Sequence, residues 1–418
     1  MYSTCDCPST ATPKIAGFEE PMEFVNRRKL NRFLLKSAFL ASLPIEVLVA
    51  ASGDNSSVVE VDGEIDGKTD PGMDQFLNDI PKAESHIHLQ GCVTPELLLR
   101  FAHRNGIKLA YKNEQEVEFF IENSYGPDLS DFVRVLNEIS LVLRTEEDLY
   151  ETALDYLFRS SRQNVKYAEV YFDPQPILDN GLAMPAMMNA MNAARSKAVA
   201  EYDIDCKWIM SFHRDRSPES ALAVLSLAEA SRQNIVGVAL DNLDTPNYPQ
   251  RFKGVFDRAH ELGYKRTTHV DVGENSAIDR VWGAINELGV DGRIDHGIDG
   301  LADQRFRSYI KDNNVTLAVC PTLFFNKKPS DSTYFRAVCD AVRFMLDNDM
   351  RVTLSSDDPG IFDLNYVGDI YKLVHKQINL TRPEIVQLAK NSFEMLWIED
   401  TRKNAYLNML KPFESRGV

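Results

Sequence analysis

The chain has 418 residues, 44% of them hydrophobic and 26% charged, a composition typical of a globular protein with one large domain or two ordinary ones. Its 46 basic and 62 acidic residues give a formal net charge of −16. An acidic surface repels phosphate backbones, so nucleic acid is excluded as an expected partner. The six cysteines are sparse and unevenly spaced, which excludes a disulfide framework and a CxxC zinc motif.

Residues 1–73 precede the region of regular periodicity and predict an N-terminal leader followed by a linker. From Met22 the chain reads MEFVNRRKLNRFLLKSAFLASLPIEVLVAASG, where basic, apolar and small residues follow one another in the order of an export signal. Lys36 and Glu46 interrupt the apolar part and favour the alternative of an amphipathic helix. If Met22–Gly53 is a signal, the protein is exported; otherwise it is cytoplasmic. No other apolar run approaches membrane-spanning length, so we expect no stable membrane span.

From residue 74 onward, short apolar runs rich in β-branched residues alternate with longer segments whose apolar residues recur at i, i+3 and i+4. The eightfold alternation predicts an α/β fold, a (β/α)8 barrel of the TIM type over residues 74–418. The interval 95–163 is too long for one helix and predicts extra helices after the first strand. The eight predicted strands are 83–89, 167–172, 206–212, 235–241, 265–270, 292–297, 315–320 and 351–357.

Polar side chains stand at the carboxyl ends of several predicted strands, where the loops of such a barrel build its functional site. Histidines end the first, fifth and sixth strands, and two aspartates end the eighth. These residues are His86, His88, His269, His296, Asp357 and Asp358. Their coincidence with strand ends predicts that they share one site.

A metal centre is the chemistry that this set favours. His86 and His88 lie two residues apart in a strand, so their side chains point to the same face and can chelate an ion. Alone, such a pair is often two ordinary polar residues, and the sequence DDPG that begins at Asp357 is also turn chemistry. Together with His269, however, these residues supply three imidazoles and one carboxylate. That donor set suits one Zn²⁺ per subunit, with an open position for water.

Two further residues are candidates for proton transfer beside such an ion. Glu274 follows His269 in the segment THVDVGEN and could move protons, while His296 could hold the attacking water in place. His213 follows the third strand and could line the pocket. The remaining histidines lie in helical patterns and are interpreted as surface or hydrogen-bonded residues: His103, His260 and His375.

The motifs, taken in order, resemble those of the adenosine/adenine deaminase family of metal-dependent amidohydrolases. PKAESHIHLQGCVTPELL (81–98) is similar to the opening signature of that family, SSDDPGIF (355–362) is similar to its closing signature, and RIDHG (293–297) stands where the family has a histidine beside the metal. The resemblance runs from about residue 81 to about residue 407. YAEVYFDPQ (167–175) and GVALD (237–241) are closer to the adenine deaminase branch.

The resemblance implies a role for each site residue. It implies that Glu274 donates a proton to the purine ring while hydroxide attacks C6, that His296 orients the hydroxide, and that Asp358 binds the purine and assists the departure of ammonia. The implied zinc ligands are His86, His88, His269 and Asp357. The family usually has HAGE where this chain has HVDVGE, which we interpret as a loop insertion; Asp271 is the rival proton carrier.

Two departures from the family pattern bear on the substrate. Gln90 is the predicted substrate-binding residue, and it stands where adenosine-specific members have an aspartate directed toward the ribose. Leu323, Phe324 and Phe325 add apolar bulk after the seventh strand. Both departures favour adenine, which would be converted to hypoxanthine and ammonia. The alternatives are adenosine or an N6-substituted adenine as substrate, or a catalytically silent relative that binds purines.

Overall fold

The computed structural model describes residues 71–124, 129–270, 277–322, 332–362 and 365–415. The predicted leader lies outside the described residues apart from its last three positions, and it stays a prediction. Two sets of predicted site residues also lie outside them: Asp271 and Glu274, and the apolar group Leu323, Phe324 and Phe325. No helix in the described ranges combines the length and the hydropathy needed to cross a membrane.

The strands form two parallel sheets that follow one another along the chain. One sheet has the order β1-β2-β3-β4-β5 and the other has the order β6-β7-β8-β9. The predicted fifth strand is divided, because Thr267 and Thr268 separate β5 from β6. The strands are β1 Lys82–Glu84, β2 Val165–Phe172, β3 Asp205–His213, β4 Ile235–Asp241, β5 Lys265–Arg266, β6 His269–Val270, β7 Arg293–His296, β8 Thr316–Val319 and β9 Val352–Leu354.

Backbone hydrogen bonds join the two sheets at both of their edges. Between β5 and β6, the Thr267 N–H donates to Val238 O at 3.1 Å, and Thr268 O accepts from the Asp295 N–H at 3.1 Å. Beyond the ends of β1 and β9, residues 86–88 exchange hydrogen bonds with Asp357. The strands therefore follow one ring, and the predicted (β/α)8 barrel is confirmed.

Helices surround this ring. Four of them lie between β1 and β2, which confirms the prediction of extra helices after the first strand. The helices are α1 Pro71–Asp79, α2 Pro95–Arg104, α3 Glu114–Ser124, α4 Leu129–Ser140, α5 Glu146–Arg162, α6 Pro174–Asp179, α7 Met184–Glu201, α8 Pro218–Ala228, α9 Tyr248–Glu261, α10 Ala277–Gly283, α11 Gln304–Asp312, α12 Thr333–Asp347, α13 Val367–Ile378, α14 Arg382–Glu394 and α15 Asp400–Glu414.

Side-chain caps explain why several helices begin where they do. The Thr94 hydroxyl accepts from the Leu97 N–H at 3.2 Å, and Pro95 occupies the first helical position of α2, where no amide donor is needed. Thr145 and Thr381 begin α5 and α14 in reciprocal capping boxes. These caps fix the helices that pack around the strand ends, and so they help to hold the site.

A buried lysine stabilises the amino-terminal side of the barrel. The Lys82 ammonium donates to three carbonyl oxygens, those of Leu77 at 2.7 Å, Ile80 at 2.8 Å and Gln163 at 3.2 Å. It also lies over the ring of Tyr371, 5.7 Å from the centroid. Burial lowers the pKa of Lys82 from 10.5 to about 7, because the charged form loses its hydration.

This lysine gives the protein a specific dependence of stability on pH. Between pH 7 and the ordinary lysine pKa, the unfolded chain binds one more proton than the folded chain, so the free energy of unfolding rises with pH. We expect a contribution of up to ~1.4 kcal/mol per pH unit over that range. Lys82→Met should lose this slope in urea unfolding measured at several pH values, whereas the exposed control Lys253→Met should keep it. Parallel profiles for the wild type and Lys82→Met would contradict this assignment.

Candidate metal centre and active site

The polar residues predicted at the strand ends meet at one end of the barrel. His86 and His88 follow β1, His269 begins β6, and His296 ends β7. All four histidines are buried, as is Asp357. His86, His269, His296 and Asp357 each offer one ligand atom, and these atoms all lie within 4.8 Å of one another.

The donor atoms of the predicted ligand set converge closely. Asp357 Oδ1 lies 3.2 Å from His86 Nε2 and 3.5 Å from His88 Nε2. His88 Nε2 lies 2.9 Å from His269 Nε2. Donors about 2.1 Å from one tetrahedral ion lie roughly 3.4 Å apart, so this spacing suits a single zinc ion.

Hydrogen bonds on the far side of two imidazoles fix their orientation. His269 Nδ1 lies 2.9 Å from Leu240 O, and His86 Nδ1 lies 3.3 Å from Ala318 O. A carbonyl can only accept, so each Nδ1 carries the proton and each Nε2 is left as a ligand atom. His86 Nε2 has no hydrogen-bond partner within the described part of the chain, although it is fully buried. These residues therefore fit a bound metal ion.

The electrostatics of two of the three imidazoles agree with metal binding. Burial lowers the pKa of His88 to about 3 and holds the pKa of His269 well below its ordinary value, so both imidazoles are neutral, as ligands must be. Burial also disfavours charge on His86, but the Asp357 carboxylate outweighs it and raises the pKa of His86. Burial, and then repulsion by Asp357, raises the pKa of Asp358 well above its usual range.

The backbone around the site adopts conformations that few residues tolerate. His296 and Asp357 have φ values of 57° and 62°, in the left-handed region. Such strain in residues other than glycine is typical of functional sites, where the surrounding structure holds it in place. A methyl group at Gly91 would lie 1.8 Å from Asp358 Oδ1, so only glycine permits the Asp358 carboxylate to take its position.

A carboxylate that the sequence analysis did not single out lies beneath the cluster. Asp295 lies 3.8 Å from Nδ1 of both His86 and His269. Its Oδ2 accepts hydrogen bonds from the hydroxyls of Tyr171 at 2.8 Å and Thr267 at 2.9 Å. The Asp295 side chain therefore faces the Nδ1 atoms of both imidazoles. In the sequence, the feature that could have identified Asp295 is its position in the motif RIDHG, one residue before His296.

A cleft leads from the cluster to the surface. Its apolar side comes from α4, chiefly Phe132, Val133 and Leu136. The polar residues that line it include four at the carboxyl ends of β2, β3 and β4, namely Asp173, His213, Asp241 and Asn242, as well as His296 and Asp358 on the other side. The suggestion that His213 could line the pocket thus agrees with its position. The sequence analysis passed over Asp173 and Asp241, although both stand at strand ends.

Gln90 does not line this cleft. Its buried amide lies in a short 3-10 turn, donates to Asp173 O at 2.9 Å and accepts from the Asp173 N–H at 3.4 Å. Direct contact between Gln90 and substrate stays a prediction. Of the histidines interpreted as peripheral, His103 and His260 are exposed, and His375 is bonded to Leu380 O at 2.9 Å.

A parallel barrel with a buried cluster of imidazoles and a carboxylate at the carboxyl ends of its strands defines a metal-dependent hydrolase of the amidohydrolase type. The sequence profile described as adenosine deaminase matches residues 81–412. The chain belongs to the adenosine deaminase family.

Similar proteins cover nearly the whole barrel. An uncharacterized deaminase of Schizosaccharomyces pombe is 35% identical over 344 residues, which are 82% of this chain and 98% of the relative. The adenine deaminase of Chlorobium phaeobacteroides is 30% identical over 342 residues, 82% of this chain and 99% of its own. The crystal structure of adenine deaminase from Arthrobacter aurescens is 31% identical with a TM-score of 0.72, and the match covers 80% of this chain and 99% of that one.

The ligand assignment predicts the metal content of a variant. His269→Ala should reduce bound zinc from about one ion per chain to a small fraction of that, because it removes one of four converging donors. Inductively coupled plasma mass spectrometry on purified protein would measure this. His260→Ala, which removes an exposed histidine from α9, is the matched control. Full metal occupancy in His269→Ala would show that this residue is not a ligand.

The contact between Gly91 and Asp358 predicts a second result. Gly91→Ala should lower deaminase turnover on the order of a hundredfold or more, because Asp358 must move away from its position. Metal content should be unchanged, since the three atoms nearest to the added methyl group all belong to Asp358 and none belongs to a predicted metal ligand. In the control Gly254→Ala the added methyl group meets no atom within 4 Å. Normal turnover in Gly91→Ala would refute the role given to Asp358.

Proposed function

We propose that the protein is a zinc-dependent deaminase that converts adenine and water to hypoxanthine and ammonia. The observation that carries the proposal is the convergence of three imidazole Nε2 atoms and Asp357 Oδ1 beside a cleft that Asp358 and His296 also line. Relatives named as adenine deaminases match the chain over nearly their whole length, which supports adenine as the substrate.

The proposed reaction exchanges one bond at C6 of the purine for another. A C–O bond to water forms, the C–N bond to the exocyclic amino group breaks, and ammonia leaves with the protons that the water gives up. His86, His88, His269 and Asp357 would hold the zinc ion. When bound, zinc supplies Lewis-acid activation of water near neutral pH.

The residues of the chain orient the reactants and move the protons. His296 lies beside the cluster, its ring centroid 4.6 Å from that of His86, where it can orient the attacking water. Asp358 occupies space that only a glycine at position 91 leaves open, and it can bind a purine ring nitrogen from the cleft. Glu274, assigned by resemblance as the proton donor to the ring, lies outside the described residues.

The shape of the cleft favours a flat, uncharged base. Phe132 is buried and stacks on Phe362 at a centroid distance of 5.5 Å, so this part of the apolar side is fixed by packing. An apolar face suits the surface of a purine ring, while the polar residues opposite can bond to its edges. A ribose has three hydroxyl groups to satisfy, and Phe132, Val133 and Leu136 offer them no partner; Asn137 and Ser140 are the polar residues that α4 contributes to the cleft.

A comparison of substrates tests the proposal. We expect kcat/KM for adenine on zinc-loaded protein to exceed that for adenosine by more than about a thousandfold, because a rigid cleft excludes the ribose. An N6-alkyl adenine is measured beside them, with ammonia release as the common assay. A preference for adenosine would overturn the adenine assignment and leave the deaminase chemistry in place. No ammonia from any of the three would overturn the proposed activity itself.

A further inference from the structure

The wall of the cleft opposite His296 and Asp358 contains polar atoms that the proposed mechanism does not use. Asp241 ends β4 and is 4% exposed, and neither of its carboxylate oxygens has a hydrogen-bond partner in the described part of the chain. Its neighbour across the strand ends is Asp173, whose Oδ1 is likewise buried without a described partner. Buried carboxylate oxygens are costly unless something donates to them. This wall is therefore built to receive a donor.

The two aspartates differ in what already faces them. Asp241 Oδ2 lies 3.6 Å from His88 Nδ1, so this oxygen faces the metal cluster. Asp173 follows β2, which is separated from β4 by β3, and its Oδ2 lies 3.5 Å from His213 Nε2. Its side chain is 13% exposed and lines the cleft. Asp241 also lines the cleft, but its side chain is only 6% exposed, so Asp173 is the more accessible carboxylate of the pair.

The position of Asp173 is fixed through its backbone. Gln90 bonds both the N–H and the carbonyl of Asp173 with its amide group, at 3.4 Å and 2.9 Å. Because Gln90 is itself buried, this two-point contact sets the direction in which the Asp173 side chain leaves the strand. Gln90, which stands where adenosine-specific members have an aspartate directed toward the ribose, thus holds Asp173 in place.

A free purine carries the donor that this wall lacks. With C6 at the metal cluster, the five-membered ring is the part of the molecule farthest from the reaction, and in the free base that ring has one N–H group. In a nucleoside the corresponding N9 is bonded to carbon and cannot donate. A site built to bond an N–H discriminates strongly against an analogue without it, because its own buried acceptor is then left unpaired.

We propose that Asp173 determines the specificity of the active site. Its carboxylate accepts a hydrogen bond from the ring N–H of a free purine, and Gln90 positions it. This inference rests on the proposed function, since it deepens the choice of substrate at the same site. In this inference a hydrogen bond distinguishes the free base from a nucleoside, in addition to the proposed steric exclusion of the ribose.

The test compares adenine with 9-methyladenine, which keeps C6 and its amino group but lacks the N9–H. The wild type should prefer adenine by at least about a thousandfold in kcat/KM, and Asp173→Ala should reduce this ratio by at least about a hundredfold. The loss should fall mainly on KM for adenine, since the hydrogen bond exists in both the ground state and the transition state. Binding of hypoxanthine measured by calorimetry should weaken in parallel.

Three further variants complete the experiment. Asp173→Asn keeps the size of the side chain and removes its charge, so it should also lower the ratio. It provides the same test in case Asp173→Ala does not fold. Gln90→Met should lower the ratio by about tenfold with unchanged metal content, since Gln90 acts through Asp173. Asp179→Ala removes a carboxylate that is 63% exposed and paired with Arg216, and it should leave the ratio unchanged.

Each alternative outcome has a distinct meaning. Adenine turnover with an unaltered ratio in Asp173→Ala and Asp173→Asn would overturn the role of Asp173 and leave the proposed function standing. Adenosine turnover without adenine turnover in the wild type would overturn the proposed function, and this inference with it. His88, Asp173 and Asp241 could also hold a cation. Two zinc ions per chain in the wild type, falling to one in Asp173→Ala, would assign a second metal site and contradict substrate recognition by Asp173.

Discussion

Asp357 joins the closure of the barrel to the metal site. Its backbone N–H donates to His86 O at 3.2 Å and its carbonyl accepts from the His88 N–H at 2.9 Å, which pairs the end of the last strand with the end of the first. Its carboxylate lies between the imidazoles of the same two histidines. The predicted ligands at the two ends of the barrel therefore come together only when the ring closes. The left-handed backbone of Asp357 is the strain that this double role imposes.

The opposite side of the cluster is held by a comparable arrangement. The carbonyl of His269 accepts hydrogen bonds from the Tyr248 hydroxyl at 2.8 Å and from the Arg214 guanidinium at 3.2 Å. Arg214 also bonds the carbonyl of Asp241, so one buried cation fixes the ends of β4 and β6 together. Below, Arg293 pairs with Glu169 at 2.8 Å inside the barrel. Buried groups that are bonded on several sides hold catalytic side chains in place without themselves reacting.

The sequence predicted the parts of this site that follow from strand periodicity. Side chains at strand ends must meet at one end of a parallel barrel, so His86, His269 and Asp357 could be brought together without a structure. Asp173 and Asp241 stand at equivalent positions, but an aspartate after a strand is also common turn chemistry, and nothing in the sequence separates the two uses. The orientation of Gln90 depends on how two loops pack against each other. The spacing of residues along the sequence does not predict that packing.

The division of the fifth strand was unpredictable for a related reason. Residues 265–270 include three β-branched residues and predict one continuous strand, whereas the structure divides it at Thr267 and Thr268. The Thr267 hydroxyl bonds Asp295 at 2.9 Å. The division of the strand thus coincides with a polar side-chain contact that residue propensities do not encode. Local irregularity falls where the site needs a particular side chain, as is common at functional positions.

The charge of the cleft limits the substrates that can enter it. Asp173, Asp241, Asp357 and Asp358 line it, and its described lining contains no lysine or arginine. Burial raises the pKa of Asp241 and Asp358 well above the usual range and that of Asp173 to about 6, so at neutral pH the negative charge lies on Asp357 and Asp173. A divalent ion at the cluster would offset the charge of Asp357 but not that of Asp173. A phosphate group carries negative charge into whichever part of the cleft it occupies, and in a partly buried site like charges repel strongly. We therefore expect a nucleotide to meet an electrostatic barrier in addition to the proposed steric one. An uncharged base can instead donate its ring N–H to the unpaired acceptor of Asp173. The carboxylate that repels a nucleotide would therefore attract the free base.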